Sequence, residues 1–162
     1  MKFMSAGSPL GEVLLASDGD RLRWLSFARG PNAIEPPAEW VEDTRTPVLR
    51  ETAEQLDAYF AGKRKSFDLP LEPRGTAFER RVWRALVRIP YGKTFCYGEI
   101  ARRLGKPKAF RAVGAANGKN PISVIIPCHR LIGKGGDLTG YGGGLERKRR
   151  LLELEGALAT SS

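Results

Sequence analysis

The chain has 162 residues, 41% of them hydrophobic and 28% charged, with a formal net charge of +9. That composition argues against a disordered chain and for one compact unit or two small domains. No apolar run approaches the length of a membrane span, residues 1–5 begin no secretory leader, and two cysteines make no disulfide framework; a reduced, cytoplasmic protein without membrane attachment is expected.

The first half, residues 1–75, reads as a small sheet-plus-helix domain. Gly11–Ala16 and Arg21–Ala28 are short apolar-rich runs separated by Ser17-Asp18-Gly19-Asp20, the composition of a hairpin. A loop rich in proline and acidic residues runs from Gly30 to about Arg45. Thr46-Pro47 then supplies a helix cap and a proline in the first turn, and Leu49, Ala53, Leu56 and Phe60 recur at helical spacing before Gly62. Ser66–Leu71 is expected to be a further strand. Nothing in this half gathers catalytic residue types, so its expected role is structural support.

Residues 76–162 read as a second, mainly helical domain. Thr76-Ala77-Phe78-Glu79 is a capping box, and Phe78, Val82, Ala85, Leu86 and Ile89 form one apolar helix face that Pro90-Tyr91-Gly92 ends. Two short helices follow, Tyr97–Leu104 and Lys108 to about Asn117, joined through Gly105-Lys106-Pro107 in the manner of a helix-turn-helix. The charge is concentrated here: 17 basic and 6 acidic residues, against 10 and 12 in the first half. Such a half is either a solvated basic surface or a site for a polyanion, most often nucleic acid. In the second short helix Arg111 is the main long polar residue among Ala109, Ala112, Gly114, Ala115 and Ala116, so this face would let a nucleic-acid groove approach closely. A small-residue helix packed against a neighbour reads the same way in part.

Ile122–Ile126 is expected to be a buried strand that runs into Pro127-Cys128-His129-Arg130. A thiol at its end, beside an imidazole and a guanidinium, has groups that can raise its nucleophilicity. The pair alone says little, because adjacent side chains seldom face each other and buried cysteines are commonly inert. Cys96, Cys128 and His129 lack zinc-ligand spacing, and no metal or other cofactor is expected. Beyond residue 156 the tail is expected to fray.

Taken in order, Tyr97-Gly98-Glu99-Ile100-Ala101, Arg111-Ala112-Val113-Gly114, Asn120-Pro121, Ile126-Pro127-Cys128-His129-Arg130 and Tyr141-Gly142-Gly143-Gly144-Leu145 closely resemble the O6-alkylguanine-DNA alkyltransferase family (methylated-DNA–protein-cysteine methyltransferases) from about Thr76 to Gly156. The first half resembles the family's variable N-terminal domain more loosely. The resemblance implies an α/β (α+β) fold whose C-terminal domain is winged-helix-like, with a helix-turn-helix in the DNA minor groove and the damaged nucleotide flipped out. It implies single-turnover transfer of an alkyl group from O6-alkylguanine, and from O4-alkylthymine, to Cys128, which is consumed.

The resemblance also distributes roles. Cys128 is the nucleophile, His129 its base acting through a water, and Glu155 the residue that orients the imidazole, a Cys–water–His–Glu relay. Tyr97 would hydrogen-bond guanine N3, the amide of Gly142 after Tyr141 would donate to O6, and the carbonyls of Cys128 and Leu131 would accept from the exocyclic amine. Asn120 would brace the turn around the cysteine, Arg111 would fill the stack left by the flipped base, and Lys148 would assist electrostatically. Ala109, Phe110, Gly114 and Ala115 complete the expected DNA face. The implied partner is duplex DNA containing O6-alkylguanine, bound by a monomer, with self-association along DNA left open.

Three residues depart from the family pattern. Phe110 is large where relatives are often small, and it would either act as a second wedge or pack inward. Gly142 stands where some members have serine, which would remove a hydroxyl and widen the pocket for larger alkyl groups. Cys96 is expected to be an inert, half-buried thiol. Two other functions compete: a DNA-binding adaptor without chemistry, whose relatives lack the cysteine that is present here, and a thiol hydrolase, for which no oxyanion donor is evident.

Overall fold

A computed structural model describes residues 1–159. In the first half, β1 (Lys2–Ala6), β2 (Val13–Asp18), β3 (Arg21–Phe27) and β4 (Val41–Glu42) form one sheet in the order β3-β2-β1-β4. β2 and β3 are the expected hairpin, antiparallel from Val13 opposite Phe27 to Asp18 opposite Arg21. β2 is buried from Val13 to Ser17, as a central strand covered on both faces must be. β1 and β4 lie outside the sequence expectation; β4 is two residues long, sits in the proline-rich loop and pairs parallel to β1.

The helix α1 (Pro47–Phe60) packs on this sheet with Val48, Leu49, Leu56 and Tyr59 buried. Thr46 is its N-cap residue, but its side chain makes no cap bond. The strand expected over residues 66–71 is absent. Leu71 alone forms an isolated parallel bridge with Leu22, while the Leu22 N–H donates to the Pro70 carbonyl at 2.8 Å. Pro70 and Pro73 lack the N–H donors that a longer ladder would need.

The second half is mainly helical: α2 (Ala77–Val87), α3 (Tyr97–Arg103), α4 (Phe110–Gly118) and α5 (Leu145–Leu154), with a short parallel pair of β5 (Phe95–Cys96) and β6 (Leu131–Ile132). The capping box forms in full, with the Glu79 N–H donating to Thr76 Oγ1 at 3.1 Å and the Thr76 N–H to Glu79 Oε1 at 2.9 Å. Trp83 Nε1 donates to the Ala116 carbonyl at 2.9 Å and locks α2 against α4. Gly156, at φ 76°, ends α5. The Ala157 N–H reaches back to the Leu152 carbonyl and the Gly156 N–H to that of Glu153, a closure that requires a left-handed residue at this point. Residues 157 and 158 are therefore tied to the helix rather than frayed, and Thr160–Ser162 lie outside the described residues.

One apolar core spans both halves, with Leu25, Leu49 and Tyr59 in the same cluster as Ile100, Ile126, Leu131 and Leu151. β3 meets the second half directly through an isolated bridge between Leu25 and Ile122.

The segment from Ile122 to Ile126 is buried, as expected, but it is not a strand. Val124 has φ 70° and the Ile125 N–H closes onto the Ser123 carbonyl at 2.8 Å, a γ-turn of the rare, strained hand. A second γ-turn follows: Pro127 has φ −80° and ψ 63°, and the Cys128 N–H bonds the Ile126 carbonyl at 2.7 Å. An apolar run buried on all sides has the same composition whether extended or knotted. Here Leu25 of β3 pairs with the Pro121 carbonyl and the Ser123 N–H, and beyond that short pairing the side chain of Asn120 braces the turned segment from Ile122 to Ile126.

Candidate active site

That brace has two ends. Asn120 Oδ1 accepts from the Ile122 N–H at 3.0 Å, and Nδ2 donates to the Ile126 carbonyl at 2.8 Å. The knot delivers Cys128 to the first position of a single 3-10 turn, Cys128–Arg130. The thiol lies in the wall of a cavity of about 330 Å³ lined also by Asn32, Tyr97, Gly114, Asn117, Gly118, Gly140, Tyr141 and Gly142. Gly114 and Gly118 of α4 line the cavity without large side chains, so one side of its mouth is formed by the second helix of the helix-turn-helix.

Behind Cys128 lies a fully buried polar cluster. His129 Nε2 is 2.8 Å from Glu155 Oε2. Arg130 grips the same carboxylate, Nε to Oε1 at 2.8 Å and Nη2 to Oε2 at 3.0 Å, and its Nη1 donates to the Ile89 carbonyl. Tyr59, from α1, donates its hydroxyl to Glu155 Oε2 at 2.6 Å. Burial pushes the Glu155 carboxyl up, but the hydrogen bonds and charges of His129 and Arg130 outweigh it and hold it at about 2. Burial pushes His129 down, against the pull of Glu155. A neutral imidazole beside a carboxylate carries its proton on Nε2, which leaves Nδ1 as an acceptor. His129 Nδ1 is buried and has no hydrogen-bond partner among the described residues.

Cys128 itself is buried, which pushes its thiol up to about 11 although Asn120 and the charge of Lys148 pull it down. Lys148 is fully buried and donates to the carbonyls of Leu131 at 2.6 Å and Thr139 at 3.1 Å. Burial lowers its ammonium to about 8, while Cys128 favours the charged form. Lys148 is thus a buried cation electrostatically coupled to a thiol that burial keeps protonated, and His129, the next residue along the chain, carries a buried acceptor nitrogen.

The family model described as "6-O-methylguanine DNA methyltransferase, DNA binding domain" matches residues 77–157, and the one described as its "ribonuclease-like domain" matches residues 1–73. The methylated-DNA–protein-cysteine methyltransferase of Methanosarcina acetivorans is 54% identical over 93% of this chain and 95% of its own. The chain belongs to the methylated-DNA–protein-cysteine methyltransferase family. A second family member, from Mycobacterium tuberculosis, is 50% identical over 94% of this chain and 91% of its own. A crystal structure described as Mycobacterium tuberculosis OGT in complex with DNA superposes with a TM-score of 0.89 at 48% identity, covering 97% of this chain and 94% of that one.

In this methyltransferase family member, the residues expected from sequence occupy three shells. Tyr97, Gly114, Cys128, Tyr141 and Gly142 line the cavity. Asn120, His129, Leu131, Lys148 and Glu155 stand behind the cavity wall, and the Leu131 carbonyl expected to face a base already accepts from Lys148. Ala109, Phe110, Arg111 and Ala115 lie at the start and on the outer face of α4. Phe110 is 47% exposed and does not pack inward. Cys96 is a half-buried N-cap residue of α3, its Sγ 3.8 Å from the Gly133 carbonyl.

Four residues of the site carry no local signal in sequence. Tyr59 sits on an ordinary amphipathic helix, and its partner is 96 positions away. Thr139 bonds the Tyr97 hydroxyl through Oγ1 and Lys148 through its carbonyl, which joins the two. Asn117 is buried beside Cys128, and Asn32 comes from the proline-rich loop of the first half. The first half is therefore part of the site, contrary to its expected role as support alone. The expected widening of the pocket at Gly142 is overturned as well, because the three atoms nearest to a Cβ built there all belong to Asn32, with Nδ2 at 2.2 Å. The space that glycine leaves is filled from the other half of the chain.

Proposed function

We propose that this protein repairs alkylated duplex DNA by taking the alkyl group from O6 of guanine onto Cys128, once per chain. The observation that carries the reading is a buried thiol in the wall of a base-sized cavity, backed by His129, Glu155 and Lys148. The DNA-bound relative supports the choice of polymer, and Cys128 argues against an adaptor that only binds. O4-alkylthymine presents the same alkyl–oxygen bond and is the expected second substrate.

A water relays the Cys128 proton to His129 Nδ1, and the imidazolium so formed donates its Nε2–H to the Glu155 carboxylate. Glu155 stays ionised, because donors from Tyr59, His129 and Arg130 already crowd its oxygens. The thiolate, stabilised by Lys148, attacks the alkyl carbon. The sulfur–carbon bond forms as the carbon–O6 bond breaks, and the electron pair stays on the guanine. The Tyr97 hydroxyl meets that charge at N3 and the Gly142 amide meets it at O6. A thioether has no route back to the thiol here, so the protein is a reagent rather than a catalyst.

On DNA, α4 is the element assigned to the groove, with Arg111 entering the stack and exposed Phe110 beside it as a second wedge. The protein acts as a monomer on this reading. The test is incubation with a duplex carrying O6-methylguanine, followed by peptide mass spectrometry. One methyl-for-hydrogen gain on the peptide holding Cys128, and none in Cys128→Ala, is expected. Repair by Cys128→Ala, or no gain on that peptide, overturns the proposal.

A further inference from the structure

Gly142 and Asn32 are 110 positions apart, yet they occupy one place. A Cβ on Gly142 would lie 2.2 Å from Asn32 Nδ2, 3.0 Å from Cγ and 3.2 Å from Cβ. The carboxamide of Asn32 thus stands where a side chain at position 142 would begin, and it lines the cavity that holds Cys128.

The loop that carries Asn32 is fixed there. The Asn32 N–H donates to the Gly142 carbonyl at 2.9 Å, and Nδ2 reaches the Gly118 carbonyl of α4 at 3.3 Å. Arg147 pins the flanking segments, with Nε donating to the Leu10 carbonyl at 2.8 Å and Nη1 to the carbonyls of Arg29 and Gly143. Its guanidinium also lies 4.6 Å over the Phe27 ring. Asn32 therefore touches both sides of the cavity mouth, the Gly142 turn and α4, from a loop that Arg147 holds at Arg29.

We infer that Asn32 is a specificity-determining residue, a wall supplied by the N-terminal half that limits the size of the alkyl group Cys128 can accept. The inference rests on the alkyl-transfer reading, in which the Gly142 amide faces O6 and the adjacent wall faces the alkyl substituent. A short carboxamide in that wall leaves room for methyl and opposes larger groups. Its flexible end can yield to a Cβ at position 142, so a side chain there would displace Asn32 rather than unfold the turn.

The experiment measures single-turnover transfer from two duplexes of one sequence, one carrying O6-methylguanine and the other O6-benzylguanine. Asn32→Ala should raise the benzyl-to-methyl rate ratio about tenfold, the usual scale for relieving a steric wall in an apolar pocket. Gly142→Ala should raise the ratio in the same direction by expelling the carboxamide. Gly142→Ala added to Asn32→Ala should then change it less than twofold, because the group to be expelled is gone. An unchanged ratio in Asn32→Ala, or fully additive effects in the double variant, overturns the inference. If the wild-type protein transfers nothing to Cys128, it is the alkyl-transfer reading that fails, and the two failures are told apart by that control.

Discussion

Lys148 is an ammonium with no exposed surface, held by two backbone carbonyls and, among the described residues, no carboxylate. Such a charge is costly to bury, and burial lowers it to about 8. Its counter-charge arises only when the neighbouring thiol ionises, so the ammonium favours the thiolate over the resting thiol. A rise of one unit in a thiol's pKa cuts its thiolate fraction about tenfold at neutral pH. Lys148→Met is therefore expected to slow transfer at least about tenfold while leaving duplex affinity near the wild-type value, as read by rapid-quench kinetics beside equilibrium binding. An unchanged rate would remove Lys148 from the chemistry.

At the scale of elements, α4 is divided along its length. Val113, Ala116 and Asn117 face inward, Gly114 lies beside the Tyr97 ring, and Phe110 and Arg111 project outward. An arginine that enters the base stack matters only when there is a stack. Arg111→Ala should slow repair of duplex O6-methylguanine about tenfold, within the range of a lost nucleic-acid contact of about 1–3 kcal/mol. Reaction with free O6-benzylguanine should change less than about twofold on the same contact argument, and equal losses would place Arg111 elsewhere.

The helices and hairpin were legible in the chain because their signals are local: the Thr76 and Glu79 box, the spacing of Leu49, Leu56 and Phe60, and the turn at Ser17–Asp20. The motifs from Tyr97 to Glu155 follow one another along the chain, and the fold gathers Tyr97, Cys128, Tyr141 and Gly142 around one cavity. What stayed hidden depends on distant partners. Ile122–Ile126 reads as a strand until Asn120 is seen to brace it, and nothing around Tyr59 in the chain announces that its hydroxyl meets Glu155.

For the molecule as a whole, the Glu155 cluster joins the end of α5 to α1 and to the cysteine turn, so its protonation is felt across both halves. Glu155 is 4% exposed, and its folded value of about 2 lies below the ordinary 4.5. A carboxyl depressed in this way stabilises the fold fully above about pH 4.5 and loses that contribution as the pH falls toward 2, about 3 kcal/mol in all. Urea midpoints measured across this window should fall steeply for the wild type. Glu155→Gln should be less stable at neutral pH and flatter with acid, since Arg130 keeps its charge without a partner. Parallel curves would assign the acid sensitivity to other groups.

The shared place of Asn32 and Gly142 also bears on how such chains can be recombined. A second half carrying serine at position 142, grafted onto this first half, would bring its Cβ into the Asn32 carboxamide. The reverse graft, this second half under a loop with a smaller residue at position 32, would leave a gap in the cavity wall beside Gly142. The two halves are thus matched to each other at this one place in the cavity wall.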